Sequence, residues 1–468
     1  MGVVDLDERE AAQESACMID PSPISKPIES TRQTTITLLP DGECWPSDLQ
    51  IPDAEPVLKT RGQLGLPIDR PIIASGHQPI VFHPGIVAKL IALDHWSKVN
   101  GAHPVWIVPD QDVVDPASVR VLISNNNRTQ SESSIRLGGH PNSDTPSSMV
   151  SPIDIENELP TEYEQLSEWI MGYTHEDTIA RQFASATLGL LCDELDLIEP
   201  TILYASELLE TSAGKSMLDQ LLNNPVQAIE SYNTQVDQFP DAGVRPLSLT
   251  NSQAQLPLWR TEQKSRRHAQ IDVNDPVSFD RTSLLPTGLL MTAIMRSAVC
   301  DLFIHGRGGM EYDRITEHWM HDWLGIRLAP MVGASASVYL ELDMDPDIPD
   351  PKRAAWEAHH ARHNPSMLGD SAAAQRKQEL VDQIEVARTQ GNRAVASKLF
   401  AELHTLLDNV RNKHSDQIDR LDAQERASRE LTQIHALAMD RTWPFPLYSW
   451  SQLRELKNQV IQALDAQQ

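Results

Sequence analysis

The densest concentration of side chains able to bind an anion or move a proton is Ser75-Gly76-His77-Gln78-Pro79, with His83, Pro84-Gly85 and Lys89 close behind. It lies where a short apolar run gives way to an amphipathic stretch, so it reads as a loop from a strand's carboxyl end to a helix N-terminus. Open parallel sheets bind ligands at that edge, and the unpaired N–H groups and dipole of a helix start favour an anion. His77, Gln78 and His83 can hydrogen-bond a phosphate or carboxylate, and Lys89 can reach back one turn as a point charge. A second cluster, Asp110-Gln111-Asp112 with Asp115 nearby, follows the next apolar run. If the two runs are neighbouring strands, these carboxylates face the His77 loop, where they could orient an amine, hold sugar hydroxyls or act as a general base. The third cluster is Gly306-Arg307-Gly308-Gly309, directly after Asp301-Leu-Phe-Ile-His. Glycines let backbone approach a phosphate or ribose, and Arg307 can grip a carboxylate bidentately. The spacing is not G-x-G-x-x-G and no Walker A sequence occurs, so dinucleotide and P-loop sites are excluded.

Other combinations are weaker. His318 and His321 have i, i+3 spacing but no third ligand, His359, His360 and His363 sit in an Arg-rich helical stretch, and Asp343-x-Asp345-x-Asp347 has prolines where a calcium loop needs glycine. No metal site is expected. Glu311 and Asp313 read as acids complementing a helix dipole. Cys17, Cys44, Cys192 and Cys300 are too dispersed for a zinc ribbon or disulfide scaffold, and Cys300 reads as buried.

The elements that must hold these clusters follow from periodicity. Pro71–Ser75 and His103–Val108 are apolar runs of strand length, and between them a stretch that opens at Pro84-Gly85 and ends before Asn100-Gly101 carries helical spacing, with Pro near its first turn and Asn-Gly beyond its last. Strand, helix, strand within this length is a βαβ unit, hence a parallel sheet and an α/β core. A short strand fits Thr34–Leu39. Asn125 to Pro152 reads as a long loop or insertion edge, and 160–222 as helical. A second α/β portion starts near Val244, with a helical segment Leu289–Val299, the strand ending at His305, and a helix from Tyr312 to Leu324. Pro365 and Pro444 then bracket a stretch with no proline, in a chain that has 32. Leu380, Ile384 and Ala387, a Gly391-Asn392 turn, and Leu399, Leu403, Leu407, Val410, His414, Gln417 and Leu421 in heptad-like steps predict an antiparallel coiled-coil hairpin.

These elements divide the chain into an acidic N-terminal arm (1–35), an α/β core (36–365) with a helical insertion around 160–222, the coiled-coil hairpin (366–442), and a C-terminal segment (443–468) returning to the core. The 468 residues carry 39 Lys+Arg against 66 Asp+Glu, a net charge of -27. Such a surface repels phosphate backbones and anionic lipid, so neither nucleic acid nor a membrane is an expected partner. A local basic pocket can still override that field for a small anion. The acidic start has no signal-peptide character and no run is long enough to span a membrane, so a cytoplasmic location is expected. The narrow hairpin seam leads us to expect a homodimer through the arm.

Residues 72–116 resemble the first βαβ unit of the bacillithiol biosynthesis cysteine-adding enzymes, which carry T-G-Q-Q-x-G-L-F-x-G-P-L-x-x-x-x-K, a strand rich in Val, Pro and Trp, and a D-H-D element. Gly76, Gln78, Phe82, Gly85, Lys89, Asp110 and Asp112 fit that pattern, while His77 replaces the first Gln and Gln111 the His. Gly306, Gly308 and Tyr312 sit on the family's later G-G-P-G-E-I-A-Y segment, and a C-terminal coiled coil is a shared architectural feature. The resemblance implies a Rossmann-like core and an amide-forming ligase that adds cysteine to a glucosaminyl-malate, with the substrate open to change. In that reading His77, Gln78, His83 and Lys89 hold an anionic group and Asp110 or Asp112 binds or deprotonates the amine. Gly306, Arg307, Gly308, Gly309 and Tyr312 cradle the second substrate or a nucleotide. The small-molecule partners would be an amino sugar conjugate and an amino acid. Ligase energetics lead us to expect ATP or another adenine nucleotide, although no residue specifies it. Two alternatives stand beside this. G-H-Q-P also resembles the I-H-Q-P start of WbqC-like proteins, implying nucleotidyl or acyl transfer to an amino sugar. The third is a degenerate, non-catalytic relative whose coiled coil serves assembly.

Overall fold

The computed structural model describes residues 34–40, 45–124, 130–139, 144–155, 159–342 and 351–466. The arm read over 1–35, apart from its last two residues, and the Asp343–Asp347 turn lie outside these. The central sheet holds β1 (Thr35–Leu39), β2 (Ile72–Gly76), β3 (His103–Val108), β6 (Thr201–Tyr204), β10 (Leu302–His305) and β11 (Met331–Ser337) in the order β1-β11-β10-β2-β3-β6. All neighbours are parallel except β1, which lies antiparallel on β11. The first parallel strand, β2, is thus central; β3 and β6 are added on one side, then β10 and β11 on the other.

Alternation within each strand feeds two cores. Ile73, Trp106, Val108 and Ile304 point into one, and Ile72, Ala74, Val105, Ile107 and Phe303 into the other. A sheet buried on both faces reads as continuous apolar runs rather than polar alternation, which is why β2 and β3 are legible as they are. The first core is covered by α2 (Pro84–Asn100), α3 (Glu164–Gly172), α4 (Ile179–Leu195) and α13 (Trp450–Asp465). The second is covered by α5 (Ser212–Asn223), α6 (Pro225–Gln238), α7 (Gly288–Ala298) and α8 (Arg307–Leu324), with α1 (Glu55–Gln63) alongside. The helices that follow β2 and β10 therefore leave toward opposite faces. Their first turns lie at the carboxyl edge, on either side of the point where the strand order reverses.

Three expectations are corrected. The stretch 160–222 is not helical throughout, because Thr201–Tyr204 forms β6; four residues are too few to break a helical period. The stretch read as a long loop after Asn125 is partly a hairpin, β4 (Ser118–Ser124) with β5 (Gln130–Arg136), built from serine and charged residues with little apolar alternation. The portion after Val244 opens with an antiparallel sheet, β8-β7-β9 (β7 Gln253–Glu262, β8 Ser265–Asp272, β9 Leu284–Pro286), before the α/β pattern resumes at α7. Helices α9 (Pro351–Ala361), α10 (Ser371–Thr389), α11 (Arg393–Lys413) and α12 (Ser415–Met439) follow. Helix α10 packs on α11 through Leu380, Ile384, Leu403 and Leu407, with the chain reversing at Gly391 in a left-handed conformation (φ 69°). Helix α9 packs on α12. His414 ends α11 and bonds Asp370 at 3.2 Å, while Ile418 is the buried residue near Gln417.

Candidate functional site

Strand β2 ends at Gly76, whose missing side chain is required: a Cβ there would lie 2.2 Å from the Ile107 carbonyl. The chain then passes His77 and Gln78 to His83, the N-cap of α2. His83 Nδ1 accepts the Gly85 N–H at 3.0 Å, so its proton sits on Nε2. Burial, then the positive charges of Arg441 and Lys89, hold His83 down at about 4. Burial and the Lys89 charge bring His77 to about 3. Both imidazoles are neutral at pH 7, donors of one hydrogen bond each rather than cations.

Lys89 departs most from its expected role. It is 5 % exposed; its Nζ donates to the Gly76 carbonyl at 2.6 Å and lies 5.5 Å from the centre of the Trp106 ring. Burial pushes the ammonium down to about 7, and no carboxylate among the described residues offsets it. A buried ammonium without a counter-ion is costly, and such groups mark functional sites or bound anions. A Cβ on Gly306 would sit 3.7 Å from Lys89 Cδ, so this lysine lies against the N-cap of α8 while belonging to α2.

The third cluster is a helix start rather than a loop. Helix α8 begins at Arg307, five residues before Tyr312, with Gly306 as N-cap. Gly306 carries no side chain to cap the turn, which leaves the first N–H groups without a side-chain partner at the cap. Gly308 faces open space, whereas a Cβ on Gly309 would meet His305 Nδ1 at 2.7 Å. Gly309 is thus fixed by packing under His305. Arg307 is exposed on the first turn. Burial, with the charges of Asp313 and Asp112, raises the Tyr312 phenol well above its ordinary range, which brings Tyr312 within electrostatic reach of the β3 loop.

The two acids after β3 separate. Asp112 accepts from Gln78 Nε2 at 2.8 Å and from Arg266 at 2.9 Å, so it faces the His77 loop as expected. Asp110 turns the other way. It accepts the Ser206 N–H at 2.9 Å and the Ser206 hydroxyl at 2.6 Å, on the loop after β6, and burial raises it to about 6. The carboxylate pair expected to face one loop is split between the two neighbours of β3. No local pattern points to Ser206 there, because β6 lies inside a stretch of helical period.

Asp313 is not a surface complement to the helix dipole. It is fully buried, bonded to His305 Nε2 at 2.8 Å, Arg296 at 2.8 Å and Thr292 at 2.6 Å. Burial drives this carboxyl up, and His305, Arg296 and Thr292 override it and hold it well below the usual carboxylate range. The network fixes the start of α8. Arg266, on the β7–β8 hairpin, also bonds the Gln111 carbonyl and ties that hairpin over the β3 loop. Neither group was visible as a motif, since their partners lie far away in sequence. A hollow of about 340 Å³ lies at the opposite, amino-terminal edge of the sheet, lined by Arg61, Arg296, Cys300 and Asp301. Cys300 is buried there, its thiol pushed up to about 12 by burial and Asp301.

The structure thus brings His77, Gln78, His83, Lys89, Asp112, Gly306 and Tyr312 into one neighbourhood at the carboxyl edge of β2, β3 and β10, with Arg307 exposed on the first turn of α8 and Asp110 turned away. No family model matches the chain, and no curated protein matches it.

Proposed function

We propose that this chain is an amide-forming ligase of the kind that adds cysteine to a glucosaminyl-malate, with its anionic substrate group or a nucleotide phosphate held in the crevice between β2 and β10. The observation that carries the reading is Lys89: a buried ammonium without a carboxylate, between the first turns of α2 and α8. An oxyanion there would gain the charge of Lys89 and the N–H groups of the α8 first turn. Gly306, Arg307, Gly308 and Gly309 fit a phosphate, because the turn is uncapped and open beside Gly308. ATP, when bound, supplies the energy that makes a carboxylate reactive toward an amine. Neutral His83 can donate from Nε2 to a substrate oxygen, and His77, whose Nδ1 proton goes to the Gln78 carbonyl at 3.3 Å, can accept at Nε2. Asp112, held by Gln78 and Arg266 and facing the His77 loop, is the carboxylate placed to orient an amine, whereas Asp110 bonds Ser206 and turns away. The strand order, with its reversal beside β2, supports a Rossmann-like core. The paired helices α10 and α11 support a coiled-coil arm, and exposed Val386 and Val395 near its turn support a homodimer through it.

One observation favours the non-catalytic alternative: Asp112 and Asp110 are both engaged by protein partners, which leaves neither of these two acids free as a base. Incubating the purified chain with cysteine, a glucosaminyl-malate and ATP, and following the amide-linked thiol by mass spectrometry, separates the two. Product formation that fails in Lys89→Met supports the ligase. A chain that binds neither substrate nor nucleotide is the assembly protein.

A further inference from the structure

The amino-terminal edge of the central sheet, opposite the Lys89 neighbourhood, holds the hollow of about 340 Å³. Two guanidinium groups line it. Arg61 comes from α1 and Arg296 from the last turn of α7, and they are 0 % and 2 % exposed. Each has a carboxylate partner. Arg61 Nη2 donates to both oxygens of Asp301 at 2.8 Å, and Asp301 also accepts the Ile72 N–H at 2.7 Å, which ties α1 to the starts of β2 and β10. Arg296 Nη1 donates to Asp313 and its Nε to the Ala329 carbonyl, both at 2.8 Å.

These partners neutralise the two groups without saturating them. A guanidinium carries more N–H groups than one carboxylate can accept. Arg61 Nε, Arg61 Nη1 and Arg296 Nη2 are buried with no hydrogen-bond partner among the described residues; Arg296 Nη2 lies 3.4 Å from a Glu317 oxygen in an ion pair without hydrogen-bond geometry. Unmade hydrogen bonds of buried donors are costly, so the hollow calls for an acceptor. It does not call for another charge. Asp48 and Asp301 lie on the same walls, and like charges disfavour each other. The rest of the lining includes Pro46, Leu49, Val57 and Pro330, an apolar surface with few polar groups, as small-molecule sites have.

We propose that this hollow is a second ligand site, separate from Lys89, for an uncharged molecule of amide or lactam chemistry. Its carbonyl oxygen accepts from the unpaired N–H groups of Arg61, its N–H turns to Asp301, and its apolar body lies against Leu49, Val57 and Pro330.

The test is a saturation-transfer NMR titration of the full chain with δ-valerolactam, and with valerate as a charged counterpart of similar size. Wild type binds the lactam with a Kd of about 1 mM, as suits so small a molecule, and binds valerate more weakly. Val57→Trp and Leu49→Trp each send an indole into the hollow from a half-buried position. Each weakens lactam binding by at least about 10-fold at an unchanged melting temperature. Cys300, buried in the wall of the hollow, gives a reading that needs no variant. Lactam at about 10 times its Kd slows alkylation of Cys300 by N-ethylmaleimide about 10-fold, while Cys192, buried in the first core, keeps its rate. Equal slowing at both cysteines, or lactam binding that both tryptophan variants retain, places the lactam elsewhere and overturns the site. Tighter binding of valerate overturns the uncharged class. Failure of wild type to bind the lactam leaves the hollow to water and overturns the proposal, with the reading of Lys89 untouched.

Discussion

Lys89→Met tests the buried cation through stability alone, with no ligand needed. The ammonium has an ordinary value of 10.5 and is pushed to about 7 by burial. Between those values the unfolded chain keeps a proton on Lys89 that the folded chain has released. The unfolded state therefore binds more protons, and stability rises with pH across that window. Each pH unit within it is worth about 1.4 kcal/mol. From pH 7 to pH 10 the wild type gains about 4 kcal/mol relative to Lys89→Met, and below pH 7 the difference is flat. The lost hydrogen bond to Gly76 offsets the variant by a constant, so the slope carries the test and the intercept does not. Urea unfolding at several pH values, extrapolated linearly, measures it. Saturating pyrophosphate flattens the slope, because a paired ammonium recovers its proton. A stability difference that is level from pH 7 to pH 10 without ligand refutes the reasoning, since Lys89 would then titrate as it does in water.

Asp313→Asn leaves Arg296 without its buried charge partner, and its unfolding free energy falls by about 3–5 kcal/mol in denaturant melts. Gly309→Ala and Gly308→Ala change the same helical turn by the same methyl group. The first meets His305 and destabilises by about 1–3 kcal/mol, whereas the second has room and is neutral or gains up to about 1 kcal/mol. Asp110 binds its proton more tightly when folded, about 6 against an ordinary 3.8. Its contribution is therefore present at low pH and lost as pH rises through that window, by about 3 kcal/mol. Asp110→Asn abolishes that slope, read from unfolding at pH 4 and pH 6. Arg266→Ala frees Asp112 and the β7–β8 hairpin, seen as faster amide exchange along Ser265–Asp272 with a stability loss of about 1 kcal/mol.

The βαβ unit around Ile72–Val108 was readable because both strands are buried on both faces and the helix carries its own punctuation, Pro84 at the start and left-handed Gly101 at the end. Strand β1, the helix Gly288–Ala298 and the strand ending at His305 were readable for similar local reasons. Strand β6 was not, because Ile202-Leu203-Tyr204 has no period long enough to outvote the helices on either side. The start of α8 was misplaced because three glycines within four residues argue for a loop, and only packing against His305 and Lys89 winds them into a turn. The His77, Lys89 and Gly306 neighbourhood followed from knowing which strands precede each cluster. The direction of Asp110, the buried place of Asp313 and the arrival of Arg266 did not. Each depends on a partner far away in sequence that no local pattern names.

Strand β1 closes one side of the central sheet by pairing Thr35–Leu39 with Gly333–Ser337. Beneath it β11 reads Met-Val-Gly-Ala-Ser-Ala-Ser, a run without a single charge to discourage another chain from pairing. Unpaired edges of that kind recruit further strands and aggregate. A chain shortened to begin after residue 40 would thus remain folded in its two cores yet lose solubility, with light scattering that grows with protein concentration.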